Sequence, residues 1–168
     1  MSLTLTPLQH IPFIRRDDNL ADILVKSLHK TGLDLQDGDI LILAQKIVSK
    51  AEGCMVNLAD VQPSQRALDL GAQTDKDPRV VELMLQDSNE VLRSRKGVII
   101  VEHKLGFVCA NAGIDHSNVL GEGNENEEFV LLLPKDPDGS AKKLQGQIKQ
   151  TTGKAIGVTC YLDIQPAN

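Results

Sequence analysis

Apolar residues recur at helical spacing in four segments of the chain, and each segment has a start or stop signal beside it. In the first, Leu20, Leu24 and Leu28 fall on one face of a helix. In the third, Asp77 can cap the start and Pro78 suits the first helical position. The spacing therefore predicts helices over Asn19–Lys30, Ser64–Gln73, Asp77–Asp87 and Ser140–Thr152.

Short apolar runs between turn residues predict the strands. Ile40–Ala44 is apolar throughout, which is typical of a strand covered on both faces. Val98–Val101 is followed by a turn at Lys104–Gly106 that can bring Phe107–Ala110 back alongside it as a hairpin. Further strands are predicted over Phe129–Leu133 and Ala155–Cys160. Because helices and strands alternate without regular βαβ units, we expect a mixed α/β fold in a single domain over residues 1–168, or at most two small ones.

Composition and charge exclude several classes of protein. The chain has 18 basic and 23 acidic residues and a net charge of −5, whereas proteins that bind nucleic acids or anionic membranes usually carry a basic surplus. No apolar run is long enough to predict a membrane span. The cysteines Cys54, Cys109 and Cys160 form no CxxC pair, and the N-terminus shows neither a basic region nor a long apolar stretch. These features favour a cytoplasmic protein with reduced thiols.

One segment with candidate chemistry follows the first strand directly. Gln45–Gly53, QKIVSKAEG, begins where the apolar run ends. Ligands of open α/β sheets collect at the carboxyl ends of strands. Lys46 and Lys50 can bring positive charge to a phosphate chain there, and Ser49 can donate from its hydroxyl. A solvated basic turn is the alternative interpretation of this segment.

A second candidate segment leaves the predicted hairpin. Cys109–Val119, CANAGIDHSNV, places Asp115 among the amide and hydroxyl side chains of Asn111, Ser117 and Asn118. Hard cations such as Mg²⁺ prefer this set of oxygen ligands. An ordinary turn stabilised by an Asx side chain is the alternative. The acidic stretch 121–128 that follows is predicted to be a loop, with no function assigned to it.

Four longer blocks of sequence carry a specific resemblance. They are DGDILILAQKIVSKAEG, KDPRVVELML, VEHKLGFVCANAGIDHSNV and LLLPKDPDGSAKKLQGQI. From about Pro12 to about Val158, and in this order, they closely resemble the coenzyme F420-0:L-glutamate ligase family. Four long blocks in register are a much stronger signal than either short segment alone.

The resemblance implies a fold, a reaction and partners. Members of this family have a mixed α/β domain and form an intertwined homodimer. They join L-glutamate to F420-0, and then further glutamates through γ-linkages, using GTP, Mn²⁺ or Mg²⁺, and K⁺. By resemblance, we expect GTP to be bound by Ile11, Pro12, Phe13, Ile14, Gln45, Lys46, Lys50 and Asn118, and the metal by Asp115. Side-chain identity varies in the family at positions 45 and 46, so the resemblance transfers less directly to those two residues.

The implied chemistry is phosphoryl transfer followed by amide formation. A carboxylate is a poor electrophile because its leaving group would be oxide. The carboxylate of F420-0 therefore first receives the γ-phosphoryl group of GTP, and the amine of glutamate then displaces phosphate. Phosphoryl transfer requires positioning and charge neutralisation, which Lys50 and the metal on Asp115 would supply. The sequence identifies no catalytic base, so the catalytic residues stay unknown.

The chain departs from the family after Val158. Family members carry a metal-binding Asp-Thr pair there and continue well beyond it, whereas Leu162 and Asp163 stand in register with that pair here. A one-residue slip in a strand turns a side chain to the opposite face, which counts against Asp163 as a metal ligand. We therefore expect the N-terminal part of the ligase fold without its C-terminal part. The uncovered strand edge would favour a dimer.

Three functions stay open at this point. The first is an F420-0:L-glutamate ligase, or its catalytic N-terminal part. The second is a non-catalytic remnant that binds nucleotide or serves as a dimerising structural module, which the altered Asp-Thr pair suggests. The third is a ligase that applies the same GTP chemistry to a different acid.

Overall fold

The computed structural model describes residues 3–115 and 128–162, which form two compact units. Among the described residues, 3–53 and 134–161 belong to the first unit. Residues 54–115, 128–133 and 162 belong to the second. A single domain over residues 1–168 stays a prediction. Within the described residues, every helix is too short or too polar to cross a lipid bilayer.

The described residues contain five α-helices and seven β-strands. The helices are α1 (Leu20–Thr31), α2 (Gln45–Ala51), α3 (Gln65–Thr74), α4 (Pro78–Gln86) and α5 (Pro137–Thr152). The strands are β1 (Ile40–Ala44), β2 (Met55–Asn57), β3 (Ser88–Arg95), β4 (Val98–His103), β5 (Val108–Ala110), β6 (Phe129–Leu131) and β7 (Gly157–Tyr161). The predicted mixed α/β class is confirmed. Every predicted helix and strand is present, with ends shifted by up to three residues.

The sequence did not predict α2, β2 or β3. The residues of α2 follow β1 without a break, and no side chain caps the start of the helix. The sequence of β3, SNEVLRSR, is polar and mostly exposed, so it lacks the apolar alternation of a half-buried strand. Antiparallel hydrogen bonds to β4 hold β3 in place. Both elements therefore lack the local residue pattern from which a helix or a strand is predicted.

In the first unit, β1 and β7 pair in parallel, with Leu43 opposite Cys160. One face of this pair packs against α1 and α5. The other face is exposed, with Ile40 at 65% and Ile42 at 56% of full exposure. The prediction that β1 is covered on both faces is therefore wrong within the described residues. The buried core comprises Ala21, Leu24, Val25, Leu43, Val48, Leu144, Ile148 and Ile156.

In the second unit, β3, β4 and β5 form an antiparallel sheet, and the predicted hairpin between β4 and β5 is confirmed. The core around α3, α4 and this sheet comprises Ala67, Val81, Met84, Ile99, Val101, Cys109 and Ala112. A second antiparallel pair joins β2 to β6. Asp115 forms an isolated bridge to Leu131 of β6, so the chain passes from one sheet of this unit to the other.

Candidate functional site

The basic segment after β1 is helix α2 rather than a turn, and its polar side chains divide between two environments. Gln45 and Ser49 are buried, and Gln45 Nε2 donates a hydrogen bond to Ser49 Oγ at 2.5 Å. Lys46 and Lys50 are partly buried. They lie four residues apart, and therefore on one face of the helix. The alternative of a solvated basic turn is wrong, because the polar side chains that favoured it lie on a helix packed into the unit.

Of the two lysines, Lys50 is the better candidate for binding an anion. It stands in the last turn of α2, where a cation is favoured by the helix dipole. Within the described ranges it makes no ion pair. An anion bound at this face would lie next to positively charged side chains. The helix face therefore suits a phosphate group.

In the stretch Ile11–Ile14, which is predicted to border the nucleotide, the first and last residues pack inward and the two middle residues are exposed. Ile14 is buried, and Ile11 packs against the core of the first unit. Pro12 and Phe13 project into solvent, and Phe13 retains 89% of its full exposure. The two isoleucines thus anchor the stretch, and the two residues between them are presented outward.

A cavity of about 450 Å³ opens in the first unit at the carboxyl ends of β1 and β7. Leu43 and Val158 line its apolar floor, and Asp18, Glu52 and Lys143 stand among its polar lining. Its position and size match those of small-molecule sites in α/β sheets. The lining does not include the residues predicted to bind GTP. Sequence reasoning missed this cavity.

The N-termini of α1 and α5 both lie at this cavity, and each is capped by a side chain. The N-cap Asn19 accepts a hydrogen bond from the amide of Asp22 at 3.3 Å, and the N-cap Asp136 accepts one from the amide of Gly139 at 2.9 Å. These caps are readable in the sequence and indicate where two helices begin. That the two starts lie side by side is decided only by the parallel pairing of the strands.

The wall of the cavity also holds a hydrogen bond between α2 and α5. Ser140 Oγ donates to the Glu52 carboxylate, which follows α2 directly. Burial raises the pKa of the Cys160 thiol, and the neighbouring Glu52 carboxylate raises this pKa further. The thiol is therefore held protonated at neutral pH, and we assign it no nucleophilic role.

The turn before Asp115 has an unusual backbone. Asn111, Ala112 and Gly113 all have positive φ, at 52°, 52° and 67°. The amide of Ile114 donates to the carbonyl of Asn111 at 3.1 Å and closes the turn. A residue with a Cβ atom pays about 1–2 kcal/mol for this conformation, and Ala112 adopts it while only 1% exposed. An Asx-stabilised turn was the alternative interpretation of this segment, and a turn is present at these residues. Its left-handed backbone was not predicted, although Asn and Gly are the residue types that tolerate positive φ.

Asp115 is held by its backbone at the edge of β6. Its amide donates to the carbonyl of Leu131 at 3.0 Å, and its carbonyl accepts from the amide of Leu131 at 2.8 Å. Asn118 and Asp163, predicted as a GTP ligand and a doubtful metal ligand, lie outside the described residues. Leu162 is described and partly buried. Its aliphatic side chain supplies no metal-binding group.

Asp115 suits a divalent metal only as one ligand among several. Among the described residues, no group of three His, Cys, Asp or Glu side chains lies close enough to hold a metal ion. Mg²⁺ is commonly bound by one or two carboxylates together with water and substrate phosphates. Asp115 fits that pattern because its carboxylate is a hard oxygen ligand. It does not fit a site built from protein ligands alone.

The acidic stretch 121–128 is described only at Glu128. The Glu128 carboxylate accepts a hydrogen bond from the Arg79 guanidinium at 2.6 Å, and Arg79 also binds Asp77, the N-cap of α4. These hydrogen bonds to Asp77 and Glu128 raise the pKa of Arg79. Arg79 therefore ties the start of α4 to the residue before β6.

His103 is a buried titratable group at the end of β4, only 4% exposed. Its Nδ1 accepts a hydrogen bond from the amide of Leu105 at 3.0 Å, and its ring stacks on Phe107 with centroids 5.1 Å apart. Nε2 has no hydrogen-bond partner among the described residues. Burial lowers the pKa of His103, the Asp87 carboxylate raises this pKa by a smaller amount, and the Lys104 ammonium group lowers it further. The ring is therefore neutral in the folded protein, with its proton on Nε2.

The buried His103 predicts loss of stability in mild acid. Because its pKa is lower in the folded state, the unfolded chain takes up the proton first as the pH falls below about 6.5. The free energy of unfolding should then fall by up to about 1.4 kcal/mol per pH unit until the folded pKa is reached. In His103→Asn, whose amide oxygen can still accept from Leu105, this contribution should disappear. Urea unfolding between pH 7.5 and 5 measures the difference.

The exposed His10 provides the matched control for this experiment. Its φ is 62°, a conformation that Asn adopts readily. His10→Asn should keep the acid dependence of the wild type. An acid dependence that is the same in His103→Asn and in the wild type would contradict the assignment.

Comparison with known proteins adds family information to this geometry. A family model described as F420-0:Gamma-glutamyl ligase matches residues 9–163. The coenzyme F420:L-glutamate ligase of Methanothermobacter thermautotrophicus is 40% identical over 158 residues, which cover 94% of this chain and 60% of that protein. The protein of the same name from Archaeoglobus fulgidus is 38% identical over 158 residues, covering 94% and 59%. That from Methanopyrus kandleri is 39% identical over 145 residues, covering 86% and 53%. The chain thus spans a little more than half the length of these curated relatives.

Proposed function

Because the chain belongs to the F420-0:gamma-glutamyl ligase family, we propose that it carries out, or forms part of a protein that carries out, the ligation of L-glutamate to coenzyme F420-0 with GTP. The observation that carries the proposal is the family match over residues 9–163. The names of the curated relatives support the same ligation. The lysine face of α2 supports the use of a phosphate-bearing substrate.

In the proposed reaction, a carboxylate oxygen of F420-0 attacks the γ-phosphorus of GTP. The bond to the bridging oxygen breaks, GDP leaves, and an acyl phosphate forms. The amine of L-glutamate then attacks the acyl carbon, expels phosphate and loses a proton as the amide forms. A bound Mn²⁺ or Mg²⁺ would neutralise phosphate charge, and K⁺ is a further proposed cofactor.

The residues of the first unit have distinct proposed roles toward GTP. Lys50 places its ammonium group against the phosphate chain, where negative charge accumulates during transfer. Lys46, on the same face of α2, adds a second charge. The side chain of Gln45 is hydrogen-bonded to Ser49 inside the unit, so any contact of Gln45 with the nucleotide is assigned to its backbone. Pro12 and Phe13 supply the outward surface that borders the nucleotide, and Ile11 and Ile14 fix it.

Asp115 and Asn118 have proposed roles toward the metal and toward GTP. Asp115 supplies one carboxylate to the divalent metal, and its backbone pairing with Leu131 fixes the direction in which the side chain leaves. Asn118 is proposed to contact GTP on the basis of the resemblance alone.

We also propose a homodimer located in the cytoplasm. The exposed isoleucines of β1 offer apolar surface that a second copy can cover. Cys54, Cys109 and Cys160 are free thiols, which agrees with a reducing compartment.

A ligation experiment tests the proposed function. The purified chain is mixed with F420-0, L-glutamate, GTP, Mn²⁺ and K⁺, and the product is analysed by mass spectrometry. We expect a product heavier by one glutamyl residue, and none when GTP is replaced by GDP. If the folded protein binds GTP but forms no product, the chain is not a ligase by itself and serves as a nucleotide-binding part. If it neither ligates nor binds GTP, the proposed function is wrong.

A further inference from the structure

The left-handed turn before Asp115 is anchored to the neighbouring sheet by a side chain. In the hairpin, Val101 pairs with Cys109 and Ile100 with Ala110, so the next position opposite Ile99 is Asn111. The backbone of Asn111 leaves the sheet there, because its φ is 52°. Its side chain stays, and Asn111 Oδ1 accepts a hydrogen bond from the amide of Ile99 at 3.1 Å. The side chain thus satisfies the donor that the departing backbone would otherwise leave unpaired.

This turn carries the chain from one sheet of the second unit to the other within four residues. It begins beside β4 at Asn111 and ends where Asp115 pairs with Leu131. Three consecutive residues with positive φ persist only where the surroundings fix them. Here the Asn111 hydrogen bond fixes one end and the paired backbone of Asp115 fixes the other.

The middle of the turn is packed on two sides, Ala112 against the core around β4 and Gly113 against Leu133. Ala112 is buried in the core of this unit. A Cβ atom at Gly113 would lie 3.0 Å from Leu133 Cδ1, and its φ is 67°. These contacts leave the turn little room to change its path between Asn111 and Asp115.

We propose that Asn111 is a positioning residue for the metal-binding carboxylate. By holding the left-handed turn against Ile99, it sets the register in which Asp115 meets β6 and so aims the Asp115 side chain. The inference rests on the proposed function, in which Asp115 binds the divalent metal. Residues that orient metal ligands commonly affect metal affinity about 10- to 100-fold when they are changed.

The test measures where Mn²⁺ binds and how tightly, without any measurement of catalysis. Mn²⁺ alone is titrated into isotope-labelled protein, and the paramagnetic broadening of the amide resonances of Ile114 and Asp115 is followed by NMR. Asn111→Gly keeps the freedom to adopt positive φ and removes the hydrogen-bond acceptor. We expect Asn111→Gly to need about ten-fold more Mn²⁺ for half-broadening. Faster hydrogen exchange of the Asp115 amide should accompany this change.

Asn111→Asp is the conservative variant, because aspartate tolerates positive φ and keeps an oxygen that accepts from Ile99. It should bind Mn²⁺ at least as tightly as the wild type. Asp115→Asn should lose the local broadening altogether. If Asp115→Asn broadens like the wild type, the metal assignment in the proposed function is wrong. If Asp115→Asn loses binding but Asn111→Gly does not weaken it, the positioning role of Asn111 is wrong.

Gly113→Ala provides a second perturbation of the same turn if Asn111→Gly does not fold. Its added methyl group must displace Leu133, which shifts the turn while the Asn111 hydrogen bond is available. We expect a weakening of Mn²⁺ binding in the same direction. A Gly113→Ala protein that is folded, melts at a lower temperature and keeps wild-type broadening would show that the turn is only structural and would overturn the inference.

Discussion

Replacing Lys50 by methionine is expected to weaken GTP binding about 10- to 100-fold, because a hydrogen bond to a charged group contributes about 1.5–3 kcal/mol. Methionine keeps an apolar stem of similar length, so the packing of the partly buried side chain is largely retained. The loss should therefore reflect the ammonium group. Isothermal titration calorimetry of GTP, with circular dichroism to verify the fold, measures the effect.

Two further lysines sharpen this experiment. Lys26, exposed on α1 of the same unit, is the matched control, and Lys26→Met should bind GTP like the wild type. Lys46→Met should weaken binding less than Lys50→Met, since the family resemblance extends less directly to position 46. Because the contact is electrostatic, the difference between wild type and Lys50→Met should shrink as salt is added. Equal GTP affinities of the wild type and Lys50→Met at low salt would refute the assignment of Lys50 to the phosphate chain.

Replacing Ile148 by alanine is expected to lower the free energy of unfolding of the first unit by about 2–5 kcal/mol. Ile148 lies on α5 and is fully buried, with 0% exposure. It packs in the same core as Val48 of α2, so the helix that carries Lys50 depends on it. Because a domain is stable by only about 5–15 kcal/mol, this loss is a large fraction of the total. Urea unfolding measures the change in stability, and hydrogen exchange of the α5 amides shows that it arises in the first unit.

Lys149, the exposed neighbour of Ile148 on α5, gives the control for this prediction. Lys149→Ala should change the stability by less than about 0.5 kcal/mol, as is usual for surface positions. At low urea concentration, Ile148→Ala should still bind GTP if enough folded protein remains, since Ile148 has no proposed contact with the nucleotide. If Ile148→Ala and Lys149→Ala have the same stability, α5 does not pack as described.

The sequence predicted those parts of the fold whose cause is local. Asn19, Ser64, Asp77 and Asp136 are all helix N-caps whose side chains accept hydrogen bonds from nearby amides. Capping requires only residues within three positions of each other, so the residue at which a helix begins can be recognised from the sequence. The helix capped by Asp136 was predicted to begin only at Ser140, although Pro137 is a good first helical residue and begins it in the structure.

The candidate site was predicted in composition but not in geometry. The lysines after β1 and the carboxylate in CANAGID were identified from residue type, and the family resemblance added their roles. The helix that puts Lys46 and Lys50 on one face, the hydrogen bond that withdraws Gln45, and the left-handed turn before Asp115 were not predicted. The hydrogen bond follows once the helix forms, because Gln45 and Ser49 are four residues apart. The helix and the left-handed turn depend on packing against other segments of the chain, and neither hydrophobic periodicity nor turn propensity contains that information.

By itself, then, the sequence determined the family, the mixed α/β class, the capped helices and the apolar runs that form strands, because these follow from residue types at short spacing or from long matching blocks. Only the tertiary structure decided which face of β1 is buried, since an unbroken apolar run gives both faces the same signal. It alone decided that two capped helix starts meet at one cavity, which requires the parallel pairing of β1 with β7 across more than a hundred residues. It also fixed the path of the chain into Asp115, because that path is held by a hydrogen bond that the amide of Ile99 in β4, 12 positions away, donates to Asn111 Oδ1.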